Sequence, residues 1–204
     1  MNGAHTGESI VLASNNAGKV REINKLLETE RIKVIPQDEI GVAEVEETGL
    51  TFVENAILKA RNAARQSGLA AIADDSGIEV DALHGAPGIY SARFAGPGAS
   101  DAENLAKLLE ALQGVPEARR SARFQCLMVY MRHGEDPTPV ICQGTWEGQI
   151  LHAPRGVNGF GYDPVFKVAS LGCSAAELPA TTKNWLSHRG QALRSLVHYL
   201  RGEK

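Results

Sequence analysis

Sulfur is scarce in this sequence: its 204 residues include three cysteines, Cys126, Cys142 and Cys173. The number is odd and no two stand in a C-x-x-C spacing, so neither a disulfide framework nor a thiolate zinc site is indicated. Reduced, half-buried thiols in a cytosolic protein are the expectation. Excess charge of one sign is missing too. A formal net charge of -3 sets up no overall field for DNA, RNA or an anionic membrane, and neither a nucleic-acid nor a membrane partner is expected. No apolar run approaches membrane-spanning length. Residues 1–7 lack the basic and apolar regions of a signal peptide, which makes the cytoplasm the expected compartment. Internal repeats, low-complexity tracts and long linkers are absent. What remains is ordinary for a globular chain, 43% hydrophobic and 22% charged, with enough apolar surface for a core. The length fits a single domain, 1–204, or one domain with two lobes. A small, highly anionic ligand would need a local cluster of donors.

The pattern along the chain alternates. Residues 9–13 read as a short buried strand, followed by a helix with Val20, Ile23, Leu26 and Leu27 on one face. Residues 32–35 form a second strand, stopped by Pro36. Thr51-Phe52-Val53-Glu54 has the form of a capping box, and Val53, Ala56, Ile57, Ala60 and Ala64 form the inner stripe of the helix it opens. A small-residue strand over 69–73 ends in Asp74-Asp75-Ser76-Gly77, with a further strand over 78–83 and a glycine- and proline-punctuated loop over 85–98. Ser100 and Glu103 make a second capping box, ahead of Leu105, Leu108, Leu109 and Leu112. Residues 122–131 form the longest strand, apolar on both faces near its centre, and pair through 133–139 with 140–146 as a hairpin. A helix bearing Leu193, Leu196, Val197 and Leu200 closes the chain. Strands that alternate with helices early and pair as a hairpin later predict an α/β protein with a mixed sheet.

Five segments hold groups that could do chemistry. Ser14-Asn15-Asn16-Ala17-Gly18-Lys19 lies between a strand and a helix, where helix-start amides and Lys19 suit phosphate oxygens and Gly18 allows a turn closed to other residues. It lacks the ordinary P-loop pattern, and a plain turn with a capping Asn explains it equally. Asp74 and Asp75 stand at a strand's carboxyl end, where open α/β sheets collect ligands, yet Asp-Asp-Ser-Gly is also common turn composition. Neighbouring strand side chains point to opposite faces, so one of the two would face a given site. Glu46 with Asp75 would supply the two carboxylates that magnesium usually takes, although the Glu46-Glu47 pair also reads as a solvated acidic loop. Phe160 and Tyr162, set among Gly159 and Gly161, could stack on a base or plug the loop onto the sheet. Lys183, His188 and Arg189 gather near a helix start, against the macrodipole, and bound acceptors would relieve that misfit; a surface His-Arg step is the alternative.

Together these segments resemble the inosine/xanthosine triphosphate pyrophosphatase family, from Ile10 to about Leu196. The matching stretches are Ser14 to Lys19, Glu46 to Arg61, Ala73 to Gly77, Gly85 to Arg93, Asn158 to Pro164 and Ser187 to Leu193. Each is weak alone; six in the family's order are specific. The resemblance implies an elongated mixed sheet flanked by helices, two lobes with the nucleotide in the cleft between them, and a homodimer. It implies hydrolysis of ITP, dITP and XTP to monophosphate and pyrophosphate. It assigns Ser14, Asn15, Asn16, Ala17, Gly18 and Lys19 to the triphosphate and Glu46 and Asp75 to Mg2+, with Asp75 also the catalytic base. Ser76, Phe160, Gly161, Tyr162, Asp163, Lys183, His188 and Arg189 would contact the nucleotide. The family's first motif often reads Thr-Gly-Asn where this chain has Ser14-Asn15-Asn16, so Asn15 must follow a glycine's backbone path. Two other functions share some of these features. A related pyrophosphatase for modified pyrimidine or methylated nucleotides would need other base contacts. A nucleotide-binding regulatory module would gain little from Glu46 and Asp75 unless metal were present.

Overall fold

The computed structural model describes residues 9–29 and 32–202. Seven strands form one sheet in the order β2-β1-β3-β4-β5-β6-β7. They are β1 (Ile10–Leu12), β2 (Val34–Pro36), β3 (Ala71–Val80), β4 (Ser121–Met131), β5 (Val140–Ile150), β6 (Phe166–Val168) and β7 (Cys173–Ser174). The helices are α1 (Ala17–Thr29), α2 (Phe52–Ser67), α3 (Asp101–Ala111), α4 (Ala180–Leu186) and α5 (His188–Leu200). β1 pairs in parallel with β2 and β3, whereas β6 pairs antiparallel with β5 and β7, so the sheet is mixed as expected. None of the described helices is long and apolar enough to cross a membrane.

The chain divides into two compact units. The first holds the described residues up to Asp75, Cys126–Gly144 and those from Arg189 on; the second holds Ser76–Gln125 and Thr145–His188. In the first unit the strand period of two sorts the core. Val11, Ala13, Ala71 and Ala73 pack with Ala56, Ala60, Ala63 and Ala64 of α2, while Ile10, Leu12 and Ile72 pack with Ile23 and Leu27 of α1 and Leu193 and Leu196 of α5. Helices cover both faces there, which is why these strands read as continuous apolar runs. In the second unit Ala122 and Phe124 of β4 join Trp146, Ile150, Phe166, Leu108 of α3 and Leu112 just past its end. Between them, half-buried Arg123 meets Asp81 at 2.8 Å and Gln125 meets Glu79 at 3.0 Å. That half of β4 alternates polar with apolar, whereas Met128 to Met131 are buried on both faces.

Several local expectations change. Asp74-Asp75-Ser76-Gly77 is no turn: β3 runs through it without a break, and 81–83 form a short 3₁₀ turn where strand was expected. A turn would have solvated the two carboxylates; here cations and an amide from neighbouring elements do so instead. Pro36 belongs to β2, opposite Leu12, at the sheet edge where a missing N–H is tolerated. Within the 85–98 loop, Gly88–Arg93 form a 3₁₀ helix. The buried stripe of α2 runs through Phe52, Asn55, Ala56, Ala60, Ala63 and Ala64, leaving Val53 and Ile57 half-buried. β5 continues four residues past the expected 146, to Ile150. At Ser100 both halves of the capping box form. At Thr51 the hydroxyl accepts from Glu54 N–H, and Glu54 reaches back to Leu50 N–H at 2.9 Å.

Candidate functional site

In the first unit the segment after β1 is shaped by side chains more than by glycine. Asn16 Oδ1 accepts from Lys19 N–H at 3.0 Å and so caps α1. Ser14 Oγ accepts from Asn16 N–H at 3.3 Å. Gly18 lies in the helix's first turn, so the special backbone freedom expected of it is not used; Asn16 makes the turn. Asn15 holds two neighbours, donating to Glu44 Oε1 at 2.6 Å and accepting from Gln37 Nε2 at 2.7 Å. A glycine there could make neither bond. The first turn of α1 carries no acidic side chain, Ala17 is exposed, and the helix's positive end is left open to an anion.

The adjacent carboxylates of β3 serve opposite faces, as strand geometry requires. Asp74, whose side chain is fully buried, lies 3.2 Å from Lys19 Nζ and 3.4 Å from Arg189 Nε. Arg189 also donates to Glu22 of α1. Burial acts against the Arg189 charge, yet Asp74 and Glu22 hold its pKa above the ordinary value. Asp75 accepts from Lys59 Nζ at 2.9 Å and from Asn55 Nδ2 at 3.4 Å. Burial raises the Asp75 carboxyl despite Lys59 and Lys19. Burial is likewise the largest influence on Lys59 and pulls it down, but Asp75, Asp74 and Glu47 together carry it above its usual value. Glu47 joins through Lys59 Nζ at 2.7 Å.

No motif in the sequence singles out Lys59 and Asn55. They stand one helical turn apart on α2, and Asn55 is fully buried, its Oδ1 accepting from Gly49 N–H at 2.8 Å. An Asn and a Lys at i and i+4 beside an alanine stripe was the available signal. A β-carbon at Gly49 would lie 2.6 Å from Glu54 Cβ, so the acidic segment reaches α2 only because residue 49 has no side chain. Of the two carboxylates expected around magnesium, Asp75 is in this cluster; Glu46 is exposed on the same segment, and its neighbour Glu47 makes the bond to Lys59. The Asp75 and Glu47 oxygens converge on the Lys59 ammonium; carboxylates of this kind suit magnesium where phosphate and water complete the set. Among the described residues no three His, Cys, Asp or Glu side chains cluster as a metal cage.

In the second unit the glycine-aromatic segment is tied down. Lys183 Nζ lies 2.6 Å from Asp163 Oδ2 and 4.9 Å from the Phe160 ring centroid. Asp163 Oδ2 also accepts from Phe160 N–H at 2.9 Å. A β-carbon at Gly159, where φ is +77°, would lie 2.0 Å from that same oxygen. Gly161 N–H donates to Asp101 at 2.7 Å. Tyr162 is buried and its hydroxyl donates to the Ser91 carbonyl at 2.7 Å, so its phenol serves the loop. His188 stacks on Phe124 with centroids 4.7 Å apart. Ser76 is half-buried on β3. The cations near the α5 start are thus compensated by carboxylates of the chain itself, Lys183 by Asp163 and Arg189 by Asp74 and Glu22.

A profile of the Ham1 family matches residues 10–199. A Yersinia pseudotuberculosis protein named dITP/XTP pyrophosphatase is 61% identical over 194 residues, which are 95% of this chain and 98% of that protein. A Vibrio vulnificus protein of the same name is 60% identical over 95% of this chain and 97% of its own length. The solved structure of a HAM1 protein from Coxiella burnetii superposes with a TM-score of 0.89 at 53% identity, covering 96% of this chain and 99% of that one.

Proposed function

Since this chain belongs to the Ham1 family, we propose that it hydrolyses non-standard purine nucleoside triphosphates, ITP, dITP and XTP, to the monophosphate and pyrophosphate. The observation that carries the reading is the pairing on β3: adjacent carboxylates Asp74 and Asp75, each set against a lysine from a different helix. Cations held in place by buried carboxylates suit a reaction in which little covalent work falls to the protein and positioning and charge neutralisation dominate. Lys19 keeps 15% of its side chain exposed, so its ammonium can turn from Asp74 to a phosphate oxygen, with the open amides of α1 beside it. Asp75, and Glu46 or Glu47 on the acidic segment, would hold Mg2+, which when bound neutralises phosphate charge. Asp75 would orient the water that attacks the α-phosphorus, breaking the bond to pyrophosphate, and Lys59 would fix the rotamer of Asp75.

Recognition of the base falls to donors and an aromatic face. Phe160 offers a stacking surface, and Lys183 and His188 bring N–H groups suited to the carbonyl at the purine sixth position, while Arg189 stays with Asp74 and Glu22. The same reading carries a homodimer and a cytoplasmic location. Hydrolysing ITP in 18O-labelled water with Mg2+ tests the reaction. Label in the inosine monophosphate, with unlabelled pyrophosphate, is expected; release of orthophosphate instead would mean attack at the γ-phosphorus and a different enzyme.

A further inference from the structure

Consecutive amides of the glycine-aromatic segment are claimed by two carboxylates of different origin. Phe160 N–H goes to Asp163, which belongs to the segment itself. Gly161 N–H goes to Asp101 Oδ2 at 2.7 Å, 60 residues earlier in the chain. An Asp in a helix's first turn usually answers the helix's own free amides. Here Ser100 and Glu103 do that, with Glu103 N–H donating to Ser100 Oγ at 3.3 Å and Ser100 N–H to Glu103 Oε2 at 2.7 Å. The Asp101 carboxylate is therefore available to the neighbouring segment. Its base is firm: Leu108 and Leu112 are in the core, and buried Asn104 accepts from Ala95 N–H at 2.8 Å while donating to Ala92 O at 3.1 Å. The segment it holds is intrinsically loose, with left-handed glycines at 159 and 161, φ +77° and +59°.

We propose that Asp101 is a positioning residue for base recognition: by fixing Gly161 it sets the Phe160 ring beneath Lys183. The proposal rests on the pyrophosphatase reading above. Without the tether, the segment samples other backbone states and presents Phe160 correctly only part of the time, which weakens nucleotide binding while the groups around Asp75 are unchanged. Asp101→Ala and Asp101→Asn in the full chain test this, because the amide oxygen of Asn can still accept from Gly161. For Asp101→Ala, KM for ITP should rise about tenfold, the scale of one lost hydrogen bond to a charged acceptor, with kcat within about twofold and inhibition by pyrophosphate unchanged. Hydrogen exchange at residues 160–162 should quicken, and Asp101→Asn should restore most of the KM. The proposal is overturned by an unchanged KM, by joint loss of kcat and pyrophosphate inhibition, or by an Asn variant as impaired as the Ala one. If the unmutated chain fails to hydrolyse ITP, the functional reading fails and the role in base recognition goes with it; faster exchange in Asp101→Ala would then show that the tether exists without that role.

Discussion

The two units solve the burial of charge differently. In the first, two carboxylates on β3 sit among three cations, and the network is ionic, with Lys19, Lys59 and Arg189 drawn from three helices. In the second, Lys183 pairs with Asp163 at 2.6 Å beside the Phe160 ring, and Asp163 also accepts from Phe160 N–H. The first arrangement keeps positive charge near open helix amides, which suits phosphates. The second fixes a ring face and a donor, which suits a base. Buried pairs of either kind contribute little net stability by themselves, but removing one partner leaves a costly unpaired charge. The contrast between the units is therefore one of chemistry more than of stability.

The largest effect should come from the ionic side. Asp75→Asn is nearly isosteric and should lower kcat/KM for ITP by roughly a thousandfold or more, through loss of the charge proposed to orient water and hold metal, with circular dichroism unchanged. Lys19→Ala should cost roughly a hundredfold in kcat/KM. It should also lower the melting temperature by a few degrees, because fully buried Asp74 then loses the Lys19 cation beside it and keeps that of Arg189.

On the aromatic side, a double substitution keeps the burial balanced. Lys183→Ala with Asp163→Asn removes the proposed base donor without stranding a carboxylate, and the Asn oxygen can still accept from Phe160 N–H. Efficiency on ITP should fall about ten- to a hundredfold, with little change on ATP, so that the preference narrows. Equal losses on both substrates would show that this pair acts on turnover and not on base choice.

The smallest effect lies away from both clusters. Buried Asp136 accepts from Arg132 Nε at 2.8 Å and from the amides of Arg132 and Thr138, both at 3.0 Å, and the Arg132 bond, with those amides, holds its carboxyl well below the usual range. A depressed folded-state pKa gives stability that is present above the unfolded value and is lost as pH falls through the folded one. Asp136→Asn should thus cost roughly 1–2 kcal/mol near neutral pH, read by urea denaturation, and the deficit should shrink as the pH drops below about 4. A deficit that is constant with pH would mean the charge is irrelevant.

The sequence shows much of this fold because its strands and helices have clean periods. The parallel β1-β2-β3 core, the Ser100 cap and the inner face of α5 are all legible as patterns. β3 is less so: Asp74 and Asp75 look like a turn because nothing local reveals that Lys19, Arg189 and Lys59, up to 115 residues away, neutralise them. Asn55 and Lys59 stayed hidden for the complementary reason, since a polar residue beside an apolar stripe declares its partner only once β3 lies against α2. Gly18 suggests backbone freedom in the sequence, while Asn16 does the capping, a role visible there as the alternative reading of that segment. Asp101 could not be found, because its capping-box setting already explains an acidic residue there.

The most direct test of the account is the catalytic efficiency of the unmutated chain on ITP, XTP and ATP, with Mg2+ present and pyrophosphate release as the readout. At the proposed base site Lys183 and His188 could donate to the carbonyl of hypoxanthine or xanthine but not to the adenine amino group, and each such bond not made is worth about 1–3 kcal/mol. ITP and XTP should accordingly be hydrolysed at least about a hundredfold more efficiently than ATP. Equal efficiency on ATP and ITP would contradict the assignment to damaged purines, even with the pyrophosphatase chemistry intact.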